Sequence, residues 1–286
     1  MGAIATQIDT STVDARVAAA IEEAEARAWA DCYAAAPADF DDAAGLGFRR
    51  VAGALVIHWA ATGRRYFSRA IGLGVSEPAT EAAIDDILAG YREAGIDMFL
   101  LQSLPHCQPA EYEDWLGKRG LKAFDRQDRV LRGGERYAGM PPAASDDRLE
   151  VEPVQAGTAD EWAEFLQRVY RLDTGDWLQR LVGRRGWHPY LARKESEIVA
   201  ARTLYVGANG LAWLGMDCPV PGLGTDDYAP DAAICARIVQ DGLRLGARGF
   251  LADIEAPSRA MDTPAYECFR ALGFSRPYVR THWAVT

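Results

Sequence analysis

Three carboxylates, Asp217, Asp253 and Glu255, lie near the ends of two short apolar runs, LAWLGMDCPV and FLADIE, whose composition predicts strands. A carboxylate in a partly apolar cleft is disfavoured in its charged form, so its pKa rises toward neutrality and it becomes a general base for an amine or hydroxyl. A solvated strand end is the competing reading, and strand alternation puts Asp253 and Glu255 on one face. His106-Cys107, just past the apolar run MFLLQSL, sets a thiol beside an imidazole, the pairing that a thiolate nucleophile uses. Neighbours on a loop often point apart, and a surface loop is the alternative. His188, in GWHPY, is placed either to line an acceptor pocket or to pack on Trp187. Two glycine-rich stretches, Arg69-Ala70-Ile71-Gly72-Leu73-Gly74 and Gly222-Leu223-Gly224, have the composition of phosphate-cradling loops, although the first reads equally well as a strand running into a turn.

These groups need a framework. Helix formers run from Val13 to Ala36 and stop at Pro37. A hairpin is predicted from Arg50–Ala60 and Tyr66–Val75 around Thr62-Gly63, then a helix over Ala79–Ala94, a strand over Met98–Leu104, a helix over Glu111–Arg119 and a strand over Ala123–Leu131. Beyond it come strand Leu149–Val154, helix Ala159–Tyr170, a helical piece Thr174–Leu181, hairpin Tyr190–Tyr205 and strand Leu211–Val220. Helix Asp231–Leu245, strand Phe250–Glu255, helix Pro264–Leu272 and strand Pro277–Ala284 complete the pass. Trp162, Phe165 and Trp213 read as core.

The chain has 286 residues, 49% of them hydrophobic and 25% charged, the mix of a globular protein with a sizeable core. A formal net charge of −10 repels phosphate backbones and anionic lipid, so neither nucleic acid nor a membrane surface is an expected partner. Five scattered cysteines without C-x-x-C spacing read as reduced thiols, and no metal site is expected. The polar N-terminus lacks a basic segment followed by an apolar one, and no run reaches membrane-spanning length, so the expected location is cytoplasmic.

The order of elements recurs. Helix-ending Gly95 corresponds to Gly246, an offset of 151, and Gly120 to Gly273, an offset of 153, with ILAGYREAGIDMFLL matching IVQDGLRLGARGFLA. A duplication follows, with domains at 1–132 and 148–286 joined by the Gly/Pro/Ser-rich stretch 133–147. The second half is read with one more strand before its helix than the first.

That order, with YECFRALGF after a strand ending in Glu255, resembles the GNAT superfamily of acyl-CoA-dependent N-acetyltransferases, moderately over Leu149–Thr286 and more faintly over Arg49–Leu131. The resemblance implies an α/β (α+β) fold of two tandem GNAT-like domains, each a mixed twisted sheet flanked by helices. It also implies acetyl-CoA or another acyl-CoA as co-substrate and a small amine or amino-acid-like acceptor, handled by a monomer or homodimer. In such a fold a splayed strand polarises the thioester carbonyl and a helix N-terminus holds the pyrophosphate. Carried over, Met216, Cys218, Val220, Gly222 and Gly224 contact the cofactor. Tyr266, Asp217 and Glu255 are catalytic, and His188, Trp213 and Tyr228 line the acceptor pocket. The chain departs from the family pattern at Phe269 and Leu116, where the family places an acid tyrosine, and at Asp226-Asp227, in the loop that meets the pyrophosphate. A diverged enzyme that performs other small-molecule chemistry without CoA, and a non-catalytic binding module, remain open beside the acyltransferase.

Overall fold

The computed structural model describes residues 13–134, 149–219, 227–255 and 263–285. The predicted linker lies outside them beyond Gly134, as do Val220, Gly222, Gly224 and Asp226. In chain order the first half contains α1 (Ala15–Tyr33), α2 (Ala38–Ala44), β1 (Leu46–Val51), β2 (Ala54–Trp59), β3 (Arg69–Ile71), α3 (Glu81–Glu93), β4 (Leu100–Ser103), α4 (Tyr112–Lys118) and β5 (Leu121–Gly133). The second contains β6 (Leu149–Pro153), α5 (Ala159–Tyr170), β7 (Trp187–Lys194), β8 (Glu197–Val206), β9 (Leu211–Cys218), α6 (Ala229–Arg244), β10 (Gly249–Glu255), α7 (Pro264–Ala271) and β11 (Ser275–Val285).

Local chemistry sets these boundaries. The Asp14 carboxylate accepts from the Val17 N–H at the start of α1, and Thr80 and Thr263 cap α3 and α7 in the same way. Gly95 and Gly246 close the corresponding helices α3 and α6 at φ 69° and 88°, a left-handed conformation that side-chain-bearing residues rarely adopt. The paired helix endings read from the sequence are therefore also paired in backbone geometry.

From β1 and from β7 the two halves carry the same succession: three strands, a helix, a strand, a helix and a strand; the second half has one more strand before its helix, β6, as the sequence reading expects. Within the first half, Arg50–Ala60 is not one strand. Ala52 and Gly53, at φ 43° and 74°, make a two-residue turn of the kind that matches strand twist, and they split the run into β1 and β2. Val-Ala-Gly-Ala hides that turn, since alanine is an unusual occupant of a positive-φ position.

The described chain forms two compact units, residues 13–128 with 278–285 and residues 129–277. The N-terminal unit's sheet has the order β1-β2-β3-β4-β11-β5, with β3 and β4 parallel and β11 antiparallel to β4 through Trp283↔Leu101 and Thr281↔Ser103. Its core joins Ile84, Ile87 and Tyr91 of α3 to Val56, Leu101 and Leu116. The C-terminal unit's sheet has the order β5-β10-β9-β8-β7-β6, with β9 and β10 parallel. Its core joins Ile234, Ile238 and Val239 of α6 to Phe250, Leu204 and Phe269. Both sheets are mixed and flanked by helices. β11, which the sequence reading assigns to the second repeat, completes the N-terminal unit's sheet beside β4.

There it carries charge into the core. Arg280, fully buried, donates to Glu25 at 2.6 Å and Glu22 at 3.2 Å, two buried carboxylates of α1, and the Tyr278 hydroxyl donates to Glu22 at 2.8 Å. Arg69 of β3 reaches Glu25 at 3.2 Å. Next to Arg280, His282 sets its Nδ1 2.5 Å from Asp125 and its Nε2 3.0 Å from the Gln102 amide. Burial lowers the His282 pKa, so the ring is neutral, with Nδ1–H donating to Asp125.

Candidate functional site

In the C-terminal unit β9 and β10 pair from Leu211↔Gly249 to Trp213↔Leu251 and then part, although β9 continues to Cys218 and β10 to Glu255. Among the described residues, β9 beyond Trp213 has no strand partner on the edge facing β10, so the backbone groups of that edge are left outside the β9–β10 ladder. On its other edge β9 bulges against β8. Gly215 pairs with Thr203 and Cys218 with Ala201, so Met216 and Asp217 together stand opposite Arg202. Met216 takes φ 52°, which turns the strand at this point.

The bulge is held by residues of α5, β8 and α6. Tyr170, the last residue of α5, donates its hydroxyl to the Asp217 carbonyl. Arg202, 2% exposed, is held by Asp231 of α6 through Nε at 2.8 Å and Nη2 at 3.0 Å, and Nη2 lies 3.6 Å from the Asp217 carboxylate. The Phe269 ring of α7 covers the guanidinium at 5.6 Å. Asp217 retains 27% side-chain exposure. Burial raises its pKa, Arg202 opposes that rise, and the neighbouring Asp231 adds to it. The net direction is upward, on a partly exposed carboxylate next to the last residue of β9.

The other assigned residues spread around this centre. Trp213 lies at the splay point with its indole over Gly215, where an added Cβ would come 2.0 Å from the ring, so glycine is required there. The Cys218 thiol is held protonated by burial. Tyr228 is the N-cap of α6 and half-buried. Tyr266, half-buried on α7, has the Arg276 guanidinium 3.8 Å above its ring. Glu255 ends β10 exposed, and Asp253 pairs with the buried Arg129 at 3.1 Å. His188 stands on β7 opposite Leu204, with β8 between it and β9, and burial lowers its pKa. The structure thus joins Asp217 to Arg202, Asp231 and Tyr170, three residues the sequence reading left out. Arg202 carries a signal that was there to use: it is the lone charge within the apolar run IVAARTLYV, and a charge buried in a strand needs a partner.

The N-terminus of α6 offers little to a pyrophosphate. Asp227 Oδ1 already accepts from the Ala229 N–H at 3.0 Å, Pro230 has no N–H, and Asp231 fills the third position with a carboxylate.

In the N-terminal unit Arg69–Gly74 is a strand running into a turn. Arg69 is buried against Glu25, its guanidinium 4.7 Å from the Trp29 ring, and the Gly74 carbonyl accepts from Gln108 N–H at 2.8 Å. An added Cβ at Gly74 would lie 2.9 Å from the Gln108 carbonyl, so this turn packs closely on the segment at Gln108. The nucleophile reading of His106-Cys107 is overturned as well. His106 sets Nε2 2.7 Å from the Val13 carbonyl, away from the thiol, and burial pushes the Cys107 thiol up to about 12. Native protein treated with iodoacetamide near pH 8 should therefore leave Cys107 unlabelled, while denatured protein labels it. Rapid native labelling at Cys107, read by peptide mass spectrometry, would contradict this assignment.

No family model matches the chain, and no curated protein matches it in sequence. Solved structures do. A GCN5-related N-acetyltransferase from Kribbella flavida is 14% identical, with 93% of this chain and 95% of that one covered at a TM-score of 0.59. A GCN5-related N-acetyltransferase from Sphaerobacter thermophilus is 13% identical over 80% and 79% at 0.52. The chain shares its fold with these two GCN5-related N-acetyltransferases, and its own two halves repeat one succession of elements.

Proposed function

We propose that the C-terminal unit transfers an acyl group from a thioester, at the family level acyl-CoA, to the nitrogen of a small amine. The parting of β9 and β10 next to the Asp217 bulge carries this reading. A thioester whose carbonyl lies along the free edge of β9 near Met216 and Cys218 meets backbone N–H groups where negative charge develops. The amine loses a proton to Asp217, its nitrogen forms the new bond to the acyl carbon, and the carbon–sulfur bond breaks. Tyr266 is assigned to protonate the leaving thiolate, since Phe269 has no proton to give. Trp213 and Tyr228 are assigned to the walls of the acceptor pocket.

A second reading is favoured by the N-terminus of α6, where Asp227, Pro230 and Asp231 replace phosphate-binding amides. In that reading the enzyme is a diverged one, and the donor reaches the cleft without the CoA pyrophosphate. Calorimetry with acetyl-CoA and with acetylpantetheine separates the two. Binding of acetyl-CoA at least tenfold tighter supports acyl-CoA as donor, and equal binding supports the diverged enzyme. Absence of binding by either thioester at millimolar concentration rejects acyl transfer.

A further inference from the structure

Arg202 uses only part of its donor set. Its Nε and Nη2 are taken by Asp231, while Nη1 is buried and has no hydrogen-bond partner among the described residues. A guanidinium presents five N–H donors in a rigid fork, and a buried donor left unmade is costly, so Nη1 is a donor that an oxygen acceptor would satisfy. The guanidinium lies among the bulge of β9, the first turn of α6 and Phe269 of α7. Asp231, its tight partner, is the third residue of a 16-residue helix, and the positive end of that helix offsets part of the carboxylate's charge. Arg202 therefore keeps attraction for a second anionic oxygen. Beside it, 3.6 Å away, the partly exposed Asp217 carboxylate favours a cation. A cationic and an anionic receptor this close match two opposite charges carried on one carbon.

We infer that the acceptor is an α-amino acid, its ammonium group on Asp217 and its carboxylate on Nη1 of Arg202. This rests on the acyl-transfer reading of the same cleft, and it makes Arg202 the residue that sets acceptor specificity. An amine lacking the carboxylate leaves Nη1 unmet, and an amide in its place loses the charge-assisted bond.

The test uses the full chain and three sets of probes: the common α-amino acids, their carboxamides, and their decarboxylated amines. Binding is read by calorimetry and acylation by mass spectrometry. At least one amino acid should bind about 10- to 100-fold more tightly than its amide and its amine, the range of a charge-assisted hydrogen bond. In the double variant Arg202→Gln/Asp231→Asn, which removes a buried charge together with its partner, that ratio should fall to about one while the fold persists by circular dichroism. Should the double variant unfold, Arg202→Lys carries the comparison, since it keeps the charge but loses the fork and should shrink the ratio. Amines bound or acylated as well as amino acids by the wild type would overturn the inference and leave acyl transfer standing. Tight, carboxylate-dependent binding without acylation would uphold the amino-acid site at Asp217 and Arg202 but overturn its role as an acyl acceptor, and remove acyl transfer. No amino acid bound at millimolar concentration, or a ratio unchanged in both variants, would also overturn it.

Discussion

Arg280→Ala lowers the stability of the N-terminal unit by about 3–5 kcal/mol, the penalty for stripping a buried charge from its partners. The side chain is fully buried and holds both Glu22 and Glu25 of α1, which are themselves 1% exposed. Its removal takes from these two buried carboxylates the guanidinium that donates to both. Surface pairs such as Arg49–Asp86 or Arg180–Asp176, exposed on both sides, change stability by less than about 1 kcal/mol when broken. Equilibrium urea unfolding of Arg280→Ala and Arg180→Ala side by side reads the difference. Equal midpoints would show that the Glu22–Glu25–Arg280 cluster adds nothing to stability.

Asp217→Asn reduces turnover by on the order of 10²-fold or more, because asparagine has the same shape but cannot accept the amine's proton. The Arg202–Asp231 pair and the Tyr170 bond to the Asp217 carbonyl survive the change, so the fold persists. The pH profile carries the sign. Burial holds the Asp217 pKa above the ordinary carboxylate value. A base must be deprotonated to act, so kcat/KM in the wild type falls as pH drops through that raised pKa, and Asp217→Asn loses this limb. Wild-type turnover in Asp217→Asn, or an acid limb that remains, removes Asp217 from the mechanism. Tyr266→Phe separately tests the assigned acid and should slow turnover by a similar factor without moving the acid limb.

Much of the fold was legible because its punctuation is local. Thr80 and Thr263 before α3 and α7, and Gly95 and Gly246 after α3 and α6, fix helix ends by interactions within a few residues. The turn at Ala52-Gly53 was not legible, since it rests on an alanine at positive φ held by the β1–β2 pairing. The place of β11 beside β4 was not legible either, because its partners Glu22, Glu25 and Gln102 lie some 180 to 260 positions away in sequence, and nothing local records such a pairing. The site divides in the same way. Asp217 was found as a carboxylate at a strand end. Arg202 and Asp231, which tune it, are brought to it by β8 and α6, and only the register of β8 on β9 shows that Arg202 faces the bulge.

The most direct test of acyl transfer in the C-terminal unit follows a labelled acyl group to its destination. Wild-type protein is incubated with isotopically labelled acetyl thioesters of CoA and pantetheine and a mixture of small amines and amino acids, and the products are read by mass spectrometry. Label appearing in an N-acetyl amide, with one free thiol released per amide formed, is the result the structure predicts. Label recovered only as acetate, or left entirely in the thioester, would contradict it.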